Sequence, residues 1–489
     1  MRILERWRKS SRIALPTAVR ELLTILSAAG FEAYAVGGCV RDTWIGRIPH
    51  DWDITTAARP DEIVAVLTAA GAEVIPQIGD AFAVSLVRWR GGMYEIATFR
   101  GETYGADSHR PETVYYADSL AEDLARRDFT VNAMAADADG RICDPYDGRR
   151  DLRRRRLMTV GRPDERFNED ALRLFRACRF TAQLDLLPAR ELCAAMPAAF
   201  DRVRGLSLMR VKQEVEKLLV APAVARGLDL LVRSGLAACT CRGRKDGRDF
   251  PVPILPELMH LPDTPQQPEF HAYDAWMHTL VTVQHAPATL VGRWSALFHD
   301  AAKGLPGIRA WRDGKLTDYG HDVRGAEMAR TVLTRWGYAP SLVERVAFLV
   351  EMHMRYHYFV HHEAANVRKW LRKLARSGRF RTTAELQDAL RQLCALCVAD
   401  VIGCGRPHSH IDGHTALADY IDEELVTMPV HTRDLHYPPS LPREAGERTG
   451  ELLRSLLQRV QDGQIDNTQE ALQAAAVRYL QRHTERDMP

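Results

Sequence analysis

Residues 31–56 read FEAYAVGGCVRDTWIGRIPHDWDITT, and this stretch decides the fold of the chain around it. FEAYAVGG has the character of a strand entering a glycine turn at Gly37 and Gly38, and Val40, Arg41 and Asp42 then open a helix. Such a turn presents backbone N–H groups to a triphosphate while Arg41 clamps it. Further on, Asp51 and Asp53 stand in HDWDITT, where the two-residue period of a strand puts both carboxylates on one side. Like charges held together are unfavourable in a bare fold but suit one or two Mg²⁺ ions.

Working outward, residues 18–30 have helical spacing and end at Gly30, and a second helix from Pro60 to Ala70 is stopped by Gly71. AFAVSLVRW (81–89) and GMYEIATFR (92–100) alternate like two strands of a hairpin joined at Gly91-Gly92, and Ile142 to Pro145 adds a short strand. Up to about residue 160 the pattern is α/β. From Arg162 onward apolar residues recur at i, i+3 and i+4 almost to the C-terminus, so the remainder is expected to be all-helical. A Pro-rich stretch from Arg242 to Pro268 is the expected boundary inside that half. The last segment, from Gly450, reads as two amphipathic helices broken near Gly463 to Asn467.

In EDALRLFRACRF, Asp170, Arg173, Arg176 and Arg179 recur every three residues and so share one face of a helix. Read by itself, this is either a surface ion-pair ladder or a recognition face. Cytosine and adenine each present an amino donor beside a ring-nitrogen acceptor, and uracil and guanine present the reverse. An Asp acceptor next to an Arg donor therefore matches C and A.

GGCVRD, HDWDITT, LARRDFTVNAMA (124–135) and NEDALRLFRACRF (168–180) resemble, in order, the successive motifs of the tRNA nucleotidyltransferase (CCA-adding enzyme) and bacterial poly(A) polymerase family. The resemblance implies a polymerase-beta-like α/β head domain with a small mixed sheet, followed by helical neck, body and tail. It implies that Gly37, Gly38, Arg41, Asp51, Asp53 and Arg127 hold the nucleoside triphosphate and its Mg²⁺, with Asp51 and Asp53 catalytic. It gives Asp170 and Arg173 the base-reading role and puts Arg176 and Arg179 near the nucleotide. The expected partners are tRNA, CTP and ATP. A third carboxylate is often used by such polymerases, and Glu95 is the nearby candidate. The polar stretch GETYGADSHRPETVYY (101–116) resembles the loop with which full CCA-adding members switch from C to A. A poly(A) polymerase, or a CC-only or A-only enzyme, is the alternative within the same chemistry.

In the second half, His278, His299-Asp300 in ALFHDAAKG, and Asp400 in CVADVIG follow the order H, HD, D that looks like an HD-type phosphohydrolase domain. Imidazole and carboxylate ligands on inward-facing helices suit a divalent transition metal (Ni²⁺, Mn²⁺, Fe²⁺ or Zn²⁺), and His321 and His353 extend the set toward a second ion. Such domains hydrolyse phosphate esters through a metal-bound hydroxide, which implies a second activity on nucleotides. From a different class, the chain could be chiefly an HD hydrolase whose head only binds nucleotide. The expected division is a head at 1–160, a neck at 161–241, an HD domain at 242–420 and a tail at 421–489.

Composition bounds these readings. With 489 residues, 46% hydrophobic and 27% charged, the chain is too long for one domain and too apolar to be disordered. The 66 Lys+Arg nearly cancel 64 Asp+Glu, so an RNA partner requires a local concentration of positive charge. Arg149 to Arg156 (RRDLRRRR) is one such run, either a solvated turn or a phosphate contact. Apolar runs fall short of a membrane helix, and nine Cys scattered over a long chain fit reduced thiols. A cytoplasmic protein with no membrane partner is expected. Cys394 and Cys397 lie in an apolar helical stretch and read as core.

Overall fold

A computed structural model describes residues 11–75, 84–104, 111–362, 366–407 and 411–486. The chain divides into two compact units, Met1–Met259 and His260–Pro489. The division falls inside the Pro-rich stretch.

In the first unit, strands β1 (Ala33–Val36), β2 (Asp53–Thr56), β3 (Glu73–Ile75), β4 (Val84–Trp89) and β5 (Gly92–Thr98) form most of a seven-stranded sheet. A separate hairpin, β6 (Arg100–Tyr104) and β7 (Pro111–Tyr116), lies between β5 and the last two sheet strands, β8 (Ala135–Ala136) and β9 (Ile142–Cys143). The sheet order is β3-β4-β5-β2-β1-β8-β9. It is mixed, because β2 runs parallel to β5 and antiparallel to β1. Helix Thr17–Ala28 buries Val19, Leu22, Leu23 and Leu26, the apolar stripe expected from their spacing. The β4–β5 turn is Arg90–Gly91, both at positive φ, so Gly92 already belongs to the strand and the joint sits one residue earlier than the glycine pair suggests. Residues 81–83 of the expected strand and 105–110 of the polar stretch lie outside the described residues.

Helices Pro163–Glu169, Leu172–Leu184, Leu208–Leu219 and Val224–Arg233 follow. The second of these is buried along almost its whole length. The region beyond Arg162 is not all-helical, however. Thr240–Lys245 pairs with Arg248–Pro253, and Arg309–Arg312 with Lys315–Asp318, as antiparallel hairpins. Their turns are Asp246–Gly247 and Asp313–Gly314, each with both residues at positive φ. Asp-Gly is a strong local signal for such a turn, and helical periodicity on either side had obscured it. A third correction concerns Asp170. It sits in the extended break between helices Pro163–Glu169 and Leu172–Leu184 (φ −141°, ψ 104°), so only the three arginines share a helix.

The second unit is built from helices Ala275–His285, Leu290–Phe298, His321–Arg335, Pro340–His361, Val367–Ala375, Thr383–Gly403 and Ile411–Val426 around Trp276, Trp294, Phe298, Trp336 and Tyr356. Cys394 and Cys397 are buried in it. Helices Thr449–Gln461 and Gln469–Arg486 gather a small core of Leu452, Leu456, Leu472, Ala475 and Ala476. None of the nine cysteines forms a disulfide, and no described helix is long and apolar enough to cross a membrane.

Helix Leu172–Leu184 is held in place by close approach as well as by burial. A Cβ at Gly227 would stand 2.5 Å from the Cys178 carbonyl oxygen and 2.8 Å from the Ala182 Cβ. Gly227→Ala is therefore expected to destabilise the first unit by about 1–3 kcal/mol, read as a lower denaturation midpoint in urea.

Candidate active sites

At the end of β1 the chain turns through Gly37 (φ 83°) into helix Gly38–Trp44. A side chain here would be strained by the positive φ, and its Cβ, 2.9 Å from a guanidinium nitrogen of Arg127, would push that arginine aside. Arg127 is held from beneath by the fully buried Asp123 (3.2 Å), which Arg126 also grips at 2.8 Å. Burial alone would raise the pKa of Asp123, and the two guanidiniums overcome it and hold the carboxyl below its ordinary range. Arg41 is buried and points inward, with its fork on both oxygens of Asp42 (2.8 and 3.0 Å) and on Asn132.

Asp53 opens β2, and the parallel register sets Glu95 of β5 directly opposite it. Asp51, in the preceding loop, is largely exposed. Burial, then Asp51 and Glu95, push the Asp53 carboxyl up to about 6, and Arg127 opposes them. Three carboxylates thus converge beside a glycine turn roofed by an arginine, an arrangement that suits divalent ions and a triphosphate.

Asp128 and Asn132, in the RRDFTVNA segment, were not singled out from sequence, because their partners lie far along the chain. Asp128 accepts from Asn132 Nδ2 (3.0 Å) and from Arg176 (2.7 Å). Despite complete burial, Arg176 and Asn132 hold its carboxyl down at about 2. Arg173 is buried and bonds Glu169 (2.5 Å) and the carbonyls of Arg166 and Arg126. Arg179 pairs with Glu214 at 2.8 Å. Arg41, Arg176 and Arg179 all face the ring of Phe180. Asp170 caps the N–H of Leu172 (2.9 Å) and has Arg210 3.8 Å away. In the Arg149–Arg156 run, Arg149 pairs with Asp144, Arg150 with Asp147, Arg155 with Asp185 and Arg156 with Glu191.

In the second unit the six predicted ligands come together in one buried cluster, each from a different position on the helices. His278 lies in helix Ala275–His285, His299 and Asp300 follow helix Leu290–Phe298, His321 opens helix His321–Arg335, and His353 and Asp400 lie in the two longest helices. Nε2 of His278 is 3.0 Å from that of His299 and 3.1 Å from Asp300 Oδ2 and from Asp400 Oδ1. On the other side, Asp300 Oδ1 meets His321 Nε2 at 3.3 Å, and His321 and His353 face each other through Nε2 at 3.3 Å. Asp300 therefore stands between two donor groups.

Protonation states make this cluster informative. Nδ1 of His299, His321 and His353 each lies 2.6–2.7 Å from a backbone carbonyl three residues earlier. A carbonyl only accepts, so each Nδ1 carries the proton. Burial, reinforced for His353 by the neighbouring imidazoles, lowers the pKa of His321 and His353 and keeps both neutral. Their Nε2 atoms thus oppose lone pair to lone pair at 3.3 Å, a contact that a shared cation relieves and no hydrogen bond can. The Nδ1 carbonyl bonds are those by which metal-ligating histidines are oriented. Asp300 and Asp400 are held ionised against burial by His299, Lys303 and His278. Sequence reading missed His357, which bonds the free oxygen of Asp400 (2.9 Å) and the buried His414 (2.9 Å). A cavity of about 370 Å³ opens beside the cluster, lined by Gln266, Phe270, His271, Lys303, Asp318 and His321.

The sheet geometry carries a stability consequence. Because the folded-state pKa of Asp53 is raised, protonation favours the fold, so stability is lost as pH rises from about 4 through about 6. With screening of a part-exposed carboxylate, Asp53→Asn is expected to gain about 1 kcal/mol at pH 7 without added metal. The gain in melting temperature should vanish near pH 4; equal melting at all pH values would contradict it.

Residues 33–158 match the family described as the Poly A polymerase head domain, and residues 188–239 that described as the probable RNA and SrmB-binding site of polymerase A. The CCA-adding enzyme of Levilactobacillus brevis is 42% identical over 217 residues, covering 44% of this chain and 53% of that protein. That of Geobacillus kaustophilus is 42% identical over 213 residues, covering 44% and 52%. The chain spans about half the length of these curated relatives. Among solved structures, the Bacillus stearothermophilus CCA-adding enzyme in complex with CTP aligns with a TM-score of 0.62 at 24% identity, over 96% of this chain and 98% of that one. The Thermotoga maritima CCA-adding enzyme complexed with tRNA aligns with a TM-score of 0.55 at 17% identity, over 94% of each. The fold is that of the CCA-adding enzymes, and residues 33–158 of the first unit match the Poly A polymerase head domain.

Proposed function

We propose that the chain is a template-independent tRNA nucleotidyltransferase that adds C, C and A to tRNA 3′ ends from CTP and ATP. The observation that carries this reading is the convergence of Asp51, Asp53 and Glu95 beside the Gly37–Gly38 turn under Arg127. Asp51 and Asp53 would hold Mg²⁺, which supplies activation of the primer 3′-hydroxyl and neutralisation of the departing pyrophosphate. The turn and Arg127 bind and orient the triphosphate. Asp170 and Arg173 read the base, an acceptor beside a donor, which fits C and A and mismatches U and G. Asp128 holds Arg176, so the RRDFTVNA segment positions the arginine helix beside the triphosphate site. The named relatives, CCA-adding enzymes 42% identical over 217 and 213 residues, support the reading. Incubation with tRNA ending at the discriminator base and each labelled NTP, followed by 3′-end sequencing, tests it. CCA and nothing longer is expected, and long A tails or a CC end would favour the alternative polymerase readings. No incorporation would leave the head as a nucleotide-binding module. Asp51→Ala and Asp53→Ala should each lower incorporation by roughly 10²–10³-fold or more.

The second unit supports a second activity, metal-dependent hydrolysis of nucleotide phosphate esters. Here the carrying observation is the opposed Nε2 lone pairs around Asp300. His278, His299, Asp300 and Asp400, with His321 and His353, would hold one or two divalent transition metals (Ni²⁺, Mn²⁺, Fe²⁺ or Zn²⁺), which supply a metal-bound hydroxide. Lys303, 2.7 Å from Asp300, stands at the cavity to meet the phosphate. Phosphate release from nucleotides should rise with Mn²⁺ or Ni²⁺ and be lost in His299→Ala while CCA addition persists. Hydrolysis that is absent, or unchanged in that variant, would contradict it.

A further inference from the structure

The hydrolytic cluster uses one edge of His278 and leaves the other. On the unused side, His271 and Cys404 approach, so that donor atoms of His271, His278 and Cys404 all lie within 4.8 Å of one another. The backbone fixes this approach, because the Ala272 N–H donates to the Cys404 carbonyl at 2.8 Å. The His271 ring meets the His278 ring edge-on at 4.9 Å. Gly403 brings the end of its helix against Nδ1 of His278, since a Cβ there would lie 3.1 Å from that nitrogen.

His278 is fully buried, and its Nδ1 meets no nitrogen or oxygen partner, only the Cys404 side chain beside it. The buried Nδ1 of His271 has no nitrogen or oxygen partner either. His299, His321 and His353 each spend Nδ1 on a backbone carbonyl. His278 instead turns Nδ1 toward the end of the helix where Cys404 stands. A buried imidazole nitrogen left without a nitrogen or oxygen partner is unfavourable, and here it points at a thiol and a second imidazole. His271 and Cys404 are only half-buried, so solvent ions reach them.

We propose that His271, Cys404 and Nδ1 of His278 form a further cation site of the thiophilic class, taking Zn²⁺ or Co²⁺ and rejecting Mg²⁺. One sulfur and two imidazole nitrogens are a donor set for such ions and a poor one for hard cations. Binding releases two protons to solvent, from the Cys404 thiol and from Nδ1 of His278. The His278 ring then bridges this ion and the hydrolytic cluster through its two nitrogens. Because the ring is shared, occupancy at one site alters affinity at the other.

The full-length protein, stripped of metal and titrated with Co²⁺, tests this through the intense near-ultraviolet sulfur-to-cobalt charge-transfer band. The wild type should show the band, Zn²⁺ should abolish it and Mg²⁺ should not. Cys404→Ser and His271→Ala, checked for native circular dichroism, should each lose the band and bind one equivalent of Co²⁺ fewer. His321→Ala should keep it. Absence of the band in saturated wild type, or a band of undiminished strength in either folded variant, overturns the proposal. The hydrolase reading fails separately, through phosphate release, which leaves the band unaffected.

Discussion

Crowding of electron-rich groups, only partly offset by Arg127 in the first unit and Lys303 in the second, is the constraint on which both candidate sites depend. In the first unit Asp53 faces Glu95 across a strand pair and Asp51 across one residue, and its carboxyl is pushed up to about 6 in consequence. In the second unit the neutral imidazoles of His321 and His353 oppose their lone pairs at 3.3 Å, with Asp300 beside them. The Asp53–Glu95 approach and the His321–His353 Nε2 contact gain nothing from burial, and each is relieved by a divalent ion. Folds tolerate such local cost where function requires it.

Around the first site the arginines are engaged. Arg41 is taken by Asp42 and Asn132, Arg173 by Glu169, Arg176 by Asp128 and Arg179 by Glu214. A near-zero net charge therefore says little about the partner, since each guanidinium brings its own acid. The Asp128–Arg176 pair has a structural role as well. Asp128 is buried while Arg176 is about one-third exposed, so loss of Arg176 leaves a buried carboxylate uncompensated, at about 1–3 kcal/mol. This pair fastens the RRDFTVNA segment to the arginine helix.

Much of this was legible in the sequence, and what was not has definite physical reasons. The Gly-Gly turn and the Asp-x-Asp spacing are local, and local patterns survive without tertiary information, whereas the H, HD, D series was legible only as an ordered set of residues spread from His278 to Asp400. Glu95 could be named from its nearness along the chain, but its position opposite Asp53 is a matter of strand register. Asp128, Asn132, His357 and His414 each have at least one partner 43 or more residues away, which no short window of sequence contains. Asp170 kept the three-residue spacing of the helix that follows while sitting outside it, because spacing does not reveal a break in backbone dihedrals. The two Asp-Gly hairpins were readable, and helical periodicity on their flanks outweighed them.

The central claim is that cations complete both clusters, and anomalous scattering locates cations directly. Crystals of the full chain grown with Mn²⁺ and a non-reactive CTP analogue should give anomalous difference peaks between Asp51 and Asp53 and beside Asp300. A map with no anomalous density at either place, in crystals where the analogue is bound, would contradict the account.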